Sequence, residues 1–155
     1  MQTNEMITTI PGVIVKPLRR FTDARGWLTE LFRDDELPEG FEPVMGYLSV
    51  THPGVARGPH EHRDQSDGFV FLSGTFRVTL WENRPGRERV KEVLTVGEEN
   101  PIFLVVPPGV VHAYQNVGGE DAFVLNFPDR LYAGWGKNEP VDEIRHEDID
   151  SEFKL

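Results

Sequence analysis

Cysteine is absent from the 155 residues, which removes disulfides, zinc–thiolate centres and thiol nucleophiles and leaves the redox compartment unreadable. No apolar run is long enough to span a bilayer, and the opening residues lack the basic start and apolar stretch of a secretory signal, so a cytoplasmic protein with no membrane partner is expected. Positive charge is scarce: Lys and Arg number 16 against 26 Asp and Glu, for a formal charge of −10. That balance repels phosphate backbones and anionic lipid, which argues against nucleic acid as a partner. A small anionic ligand stays open, because one or two buried arginines hold a phosphate locally whatever the net charge. Sustained helical periodicity is also missing, as are internal repeats and low-complexity blocks, and frequent Gly and Pro would interrupt a helix.

What is present is a grammar of strands and turns. Short runs rich in Val, Ile, Phe and Thr are separated by turn chemistry at Ser73-Gly74, Arg84-Pro85-Gly86, Pro107-Pro108-Gly109 and Gly118-Gly119. Phe76, Val78 and Leu80 alternate with polar neighbours as a half-buried strand requires, whereas Gly68 to Leu72 and Ile102 to Val106 are apolar throughout and read as central strands covered on both faces. Further strands are expected at Val13 to Val15, Trp27 to Phe32, Tyr47 to Val50, Lys91 to Val96 and Ala122 to Phe127, with a minor helix near Asp34 to Leu37. The length suits one all-β domain, most economically a two-sheet jelly roll spanning residues 1–155. Residues 139–155 read as an acidic tail lying over the barrel or partly mobile.

Chemistry concentrates in the histidines. His60 and His62 stand two apart, so a strand points both imidazoles to one face. Asp67 follows, and a third histidine, His112, comes after Pro107-Pro108-Gly109, with Asn116 beyond it. Pro59 removes a ladder donor and marks an edge or barrel-mouth position. His52 and His146 carry no motif and read as surface or hydrogen-bonded histidines; Trp27, Trp81 and Phe123 read as core or rim aromatics.

These residues resemble the two motifs of the cupin superfamily. Gly54, His60, His62, Asp67 and Gly74 match the first, with Asp in place of Glu; Pro107, Gly109, His112 and Asn116 match the second, with Pro101 in place of its leading Gly. The resemblance implies a double-stranded β-helix whose interior holds one divalent metal on His60, His62, Asp67 and His112. Asp67 is shorter than the usual Glu, which leaves open a site of three histidines and water.

A second resemblance covers nearly the whole chain. Ile10-Pro11-Gly12-Val13, then Phe21-Thr22-Asp23-Ala24-Arg25-Gly26-Trp27-Leu28-Thr29-Glu30, then Ser49, Thr51, Gly54, Val55, Arg57, Gly58 and His60 resemble the dTDP-4-dehydrorhamnose 3,5-epimerases. These are cupin-fold homodimers that remove protons beside the C4 ketone of a nucleotide-linked 4-keto-6-deoxy sugar. The resemblance implies His60 as base, Arg57 on the sugar or its phosphate, Tyr132 returning a proton from the opposite face, and Asp148 orienting the base. It also implies that N-terminal strands within 8–35 are exchanged in a homodimer, bringing Phe21, Arg25 and Glu30 to the partner's nucleotide. The departures are pointed: Asp67 stands where the family has a lysine that stabilises the enolate, His62 where it has Gln, and Met45 and Tyr47 where it has polar residues. Three readings follow: a carbohydrate epimerase in polysaccharide biosynthesis, a metal-dependent cupin oxygenase or lyase, and a non-catalytic sugar-binding cupin.

Overall fold

A computed structural model of the chain describes residues 8–155; the reading of the extreme N-terminus as free of a signal sequence lies partly outside them. The strands, in chain order, are β1 (Ile14–Pro17), β2 (Arg20–Asp23), β3 (Gly26–Thr29), β4 (Tyr47–Thr51), β5 (Ala56–Glu61), β6 (Asp67–Phe71), β7 (Thr75–Glu82), β8 (Lys91–Gly97), β9 (Ile102–Val106), β10 (Val110–Asn116), β11 (Ala122–Asn126) and β12 (Ile144–Arg145). They form two five-stranded sheets, ordered β1-β9-β6-β11-β4 and β12-β5-β10-β7-β8, plus the separate β2–β3 hairpin. Every pairing is antiparallel. The all-β jelly roll expected from the turn spacing is therefore present, with only short 3₁₀ turns such as Asp34–Glu36 where a minor helix was anticipated.

Strand alternation builds the core. Phe76, Val78 and Leu80 of β7 turn inward onto Phe71, Ile102, Leu104 and Val110 between the two sheets. Phe71, Phe76 and Leu80 are 0% exposed, each stabilising the fold by about 1.5–3 kcal/mol through burial. The continuous apolar runs β6 and β9 are buried at every residue because a second layer covers their outer face: Leu31, Phe32 and Leu37 pack with Leu18 and Phe41 over Val70, Phe103 and Val105. The strand expected over Trp27 to Phe32 accordingly stops at Thr29, since Leu31 and Phe32 are drawn to that cover.

The acidic tail is part of the barrel. β12 adds to the edge of β5, and Phe153 closes over Trp81, Val111 and Ala113 on the outside of the second sheet. The Asp142 carboxylate accepts hydrogen bonds from the backbone N–H groups of Arg63, Asp64 and Gln65 at 2.8–3.0 Å. The N-terminal segment behaves differently in its two parts. β1 pairs with β9 of its own chain, while the β2–β3 hairpin projects Phe21, Trp27 and Leu28 at 48%, 52% and 62% exposure. Trp27 is therefore no core residue but lies under the Arg20 guanidinium, whereas Trp81 is core and Phe123 half-buried. Among the described residues no helix is long and apolar enough to cross a membrane.

Candidate active site

The pocket is assembled from both sheets and the tail. Its most informative local feature is a bulge in β5. His112 pairs with His60 and Tyr114 with Arg57, so two residues of β10 span three of β5. Arg57 and His60 are an odd number apart and would face opposite ways on a regular strand; the extra residue at Gly58–Pro59 brings both to the same cavity. Pro59 is thus accommodated at a bulge rather than at a free edge. Gly58 sits at φ +91°, and a Cβ there would lie 2.6 Å from the His112 carbonyl oxygen. Gly58→Ala is expected to destabilise the protein by about 1–3 kcal/mol, measured by urea unfolding, because backbone strain and a contact with the neighbouring strand coincide.

His60 is 21% exposed and held between two tail carboxylates. Its Nε2 lies 2.5 Å from Glu147 Oε1 and its Nδ1 3.4 Å from Glu143 Oε1. Burial lowers its pKa below the ordinary histidine value, with the two carboxylates and His112 modulating that shift. The short Nε2 contact assigns the ring proton to that nitrogen, donated to Glu147, and leaves the Nδ1 lone pair as the basic atom. Glu147 is steadied in turn by Arg145, whose Nε donates to the same oxygen at 3.2 Å while a terminal nitrogen lies 3.1 Å from it in an ion pair. On the outer face β5 and the turn after β12 make the converse pair: His146 Nε2 meets Glu61 Oε1 at 2.8 Å, and His146 Nδ1 meets Ser151 Oγ at 2.7 Å. This fulfils the reading of His146 as a hydrogen-bonded histidine. His52 is a surface residue beside Asp121.

Asp148 is not the residue that meets His60. It is 60% exposed and bridges Arg145, because the turn after β12 sends Glu147 inward and Asp148 out. Tyr132 likewise stands apart from His60. It is 59% exposed and borders a second, larger cavity of about 950 Å³ that adjoins the histidine pocket of about 480 Å³. The two cavities share Tyr47, His62 and Glu143 along their border. Phe21, Arg25 and Glu30 are exposed at or beside the hairpin, with Arg25 paired to Asp23 and Glu30 to Arg33; none of them lines the pocket of their own chain.

The metal-ligand set is smaller than the sequence implies. His62, Asp67 and His112 bring one ligand atom each within 4.8 Å of one another, but His60 is turned to the tail and is not among them. Asp67 does reach the group despite its short side chain: its Oδ2 lies 2.9 Å from His62 Nε2 and 3.3 Å from His112 Nε2. His62 Nδ1 donates to the Asp142 carbonyl and His112 Nδ1 to the Val110 carbonyl, which fixes both rings and aims both Nε2 atoms at Asp67. Burial opposes charge on His62, but its hydrogen bond and ion pair with Asp67, aided by Asp142, lift its pKa to about 9. Asp67 is held well below the usual carboxylate range: burial acts the other way and is outweighed by the two imidazoles. The donors fit a divalent ion, since two oriented imidazoles and a carboxylate supply a borderline set.

Glu143, Glu147 and Tyr114, which the sequence did not single out, complete the pocket beside the expected Arg57. Glu143 and Glu147 lay in a stretch legible only as acidic. Arg57 donates to Thr51 Oγ1 at 3.0 Å and the Val50 carbonyl at 2.7 Å, Tyr114 and Ser49 hydroxyls meet at 3.3 Å, and Asn126 donates to Tyr47 and Asp67 at 2.7 and 3.0 Å. Asn126 carried a signal of a kind: a polar residue closing the otherwise apolar run Ala122 to Leu125 needs a buried partner.

Comparison with known proteins places this architecture. Residues 21–137 match the model of the family described as the polysaccharide biosynthesis C-terminal domain. A probable low-salt glycan biosynthesis epimerase from Haloferax volcanii is 34% identical over 126 residues, covering 79% of this chain and 81% of that protein. The spore coat polysaccharide biosynthesis protein SpsL of Bacillus subtilis is 36% identical over 126 residues, covering 79% and 82%. Among solved structures, a 3'-monoepimerase from Streptomyces bikiniensis in complex with dTDP-quinovose superposes with a TM-score of 0.77 at 20% identity, covering 89% of this chain and 71% of that one. That likeness establishes a shared cupin fold.

Proposed function

Because the chain belongs to the polysaccharide biosynthesis C-terminal domain family, we propose that it is an epimerase of a nucleotide-linked 4-keto-6-deoxy sugar. The observation that carries this reading is His60, neutral, half-buried and oriented by Glu147, at the wall of a pocket that also holds Arg57. A carbon beside a ketone is acidified by the carbonyl, and a base of near-neutral pKa removes its proton. Nδ1 of His60 takes that proton while Glu147 stabilises the imidazolium. Arg57 and Arg145, both lining the pocket, are the cations available to the sugar phosphate. The larger cavity suits the nucleoside: Trp135, 84% exposed, and Tyr132 offer aromatic faces there. The exposed hairpin carrying Phe21 and Arg25, with Glu30 just beyond it, is the element that would reach the partner of a homodimer. Incubation with a dTDP-4-keto-6-deoxy sugar, followed by borohydride reduction and separation of the sugars, should yield products inverted beside the ketone; an unchanged composition would refute the assignment.

His62, Asp67 and His112 are the residues that would hold a divalent ion, and such an ion would supply Lewis-acid polarisation of the ketone in place of the absent lysine. With its pKa near 9, His62 carries a proton at pH 7 that the ion must displace, and lowering the pH strengthens the proton in that competition. Titration with Zn²⁺, Mn²⁺ or Ni²⁺ in weak buffer at pH 7 is expected to release about one proton per ion bound, and His62→Ala to abolish both binding and release. Binding without proton release would contradict the assignment. The same donor set favours a second reading, a metal-dependent oxygenase or lyase, and oxygen uptake with loaded protein would distinguish the oxygenase.

A further inference from the structure

Inverting a stereocentre requires a proton to leave one face of the carbon and another to arrive on the opposite face. His60 belongs to β5 in the second sheet, whereas Tyr47 belongs to β4 in the first, and both line the pocket between them. β4 looks directly across that pocket: the two residues in phase with Tyr47, Ser49 and Thr51, have hydroxyls bonded to Tyr114 and Arg57 of the opposite sheet. We propose that Tyr47 is the acid that delivers the second proton, on the face of the sugar opposite His60. This inference rests on the epimerase reading and assigns a residue to the half of that reaction which His60 cannot perform.

The hydroxyl is prepared for the task by Asn126. Asn126 Oδ1 accepts the Gly68 backbone N–H at 3.1 Å, which fixes the amide so that its Nδ2 donates to Asp67 at 3.0 Å and to the Tyr47 oxygen at 2.7 Å. Because Tyr47 accepts from Asn126, its own hydrogen is directed elsewhere, and the phenol borders both cavities. The other two tyrosines of the chain do not fit. Tyr114 lies on β10, in the same sheet as His60, with its hydroxyl against Ser49; Tyr132 borders only the larger cavity. In the balanced step, the α C–H bond breaks to His60 Nδ1, its electron pair enters the enolate, and the Tyr47 O–H proton forms the new C–H bond. The tyrosinate then regains a proton from water through the larger cavity, and His60 releases its own to solvent.

Tyr47→Phe separates the two half-reactions in deuterated water. His60 still removes and returns hydrogen on its own face, so substrate recovered from the variant should carry deuterium at a rate within about threefold of wild type. Inverted product should fall by about a hundredfold or more, the scale of a lost general acid. Inversion at the wild-type rate would overturn the proposal, as would exchange and inversion falling together. Absence of exchange in the wild-type protein would instead refute the epimerase reading itself, so the two failures are distinguishable.

Discussion

Replacing His60 by Gln is expected to lower hydrogen exchange beside the ketone by about 10²–10⁴-fold, the usual contribution of a positioned general base. The expectation follows from geometry: the His60 ring is oriented through Nε2 by Glu147 and stands outside the group in which His62 and His112 are both turned to Asp67. Glutamine keeps a donor toward Glu147 and much of the side-chain volume, so the sheets remain intact and circular dichroism should be unchanged. The pH dependence has a definite sign. Burial holds His60 below about 6.5, so the wild-type base is already neutral at pH 7, and the exchange rate falls only on acidification through the region below that value. A rate that kept rising well above pH 7 would show that a different base is at work.

The second large effect is expected at Glu147. On the proposed mechanism its carboxylate would fix the His60 tautomer and balance the charge His60 acquires, as a carboxylate does for the histidine of a hydrolytic triad. Glu147→Gln presents an amide whose donor end can meet Nε2 and stabilise the wrong tautomer, so exchange should fall on the order of 10²–10⁴-fold with KM for the nucleotide sugar little changed. Asp148→Ala, one residue along, should retain nearly full exchange, because Asp148 faces solvent and pairs with Arg145. Equal losses in the two variants would indicate a structural disturbance of the tail instead of a specific dyad.

That one-residue distinction shows where the sequence is legible. β6 and β9 announce themselves because uninterrupted apolar runs of strand length mean burial on both faces, and β7 because its alternation matches the pleat. β10 was hidden: its inner residues His112 and Tyr114 are polar because they line a pocket, which masks the usual apolar period. β12 has two residues and no apolar signal of its own; it exists because Asp142, the His146–Glu61 pair and Phe153 anchor the segment from both sides. The site was legible to the extent that motif residues share a face. His60, His62, Asp67 and His112 do meet in one pocket, yet sequence spacing could not show that a tail carboxylate 87 residues away would claim His60 and leave it outside the group of His62, Asp67 and His112. Nor could it show the β5 bulge, on which the common orientation of Arg57 and His60 depends. Tyr132 and Asp148, carried over from approximate position in a family pattern, were displaced for the same reason: loop and tail geometry is set by tertiary contacts that no local period records.

On the proposed function, this pocket removes a proton from carbon beside a ketone. The most direct measurement is solvent deuterium incorporation by the wild-type protein into a dTDP-4-keto-6-deoxy sugar, followed by NMR at C3 and C5 with and without added divalent metal. The structure predicts enzyme-dependent deuterium at one or both positions, abolished in His60→Gln. No incorporation under either condition, with the sugar nucleotide shown to bind, would contradict the account.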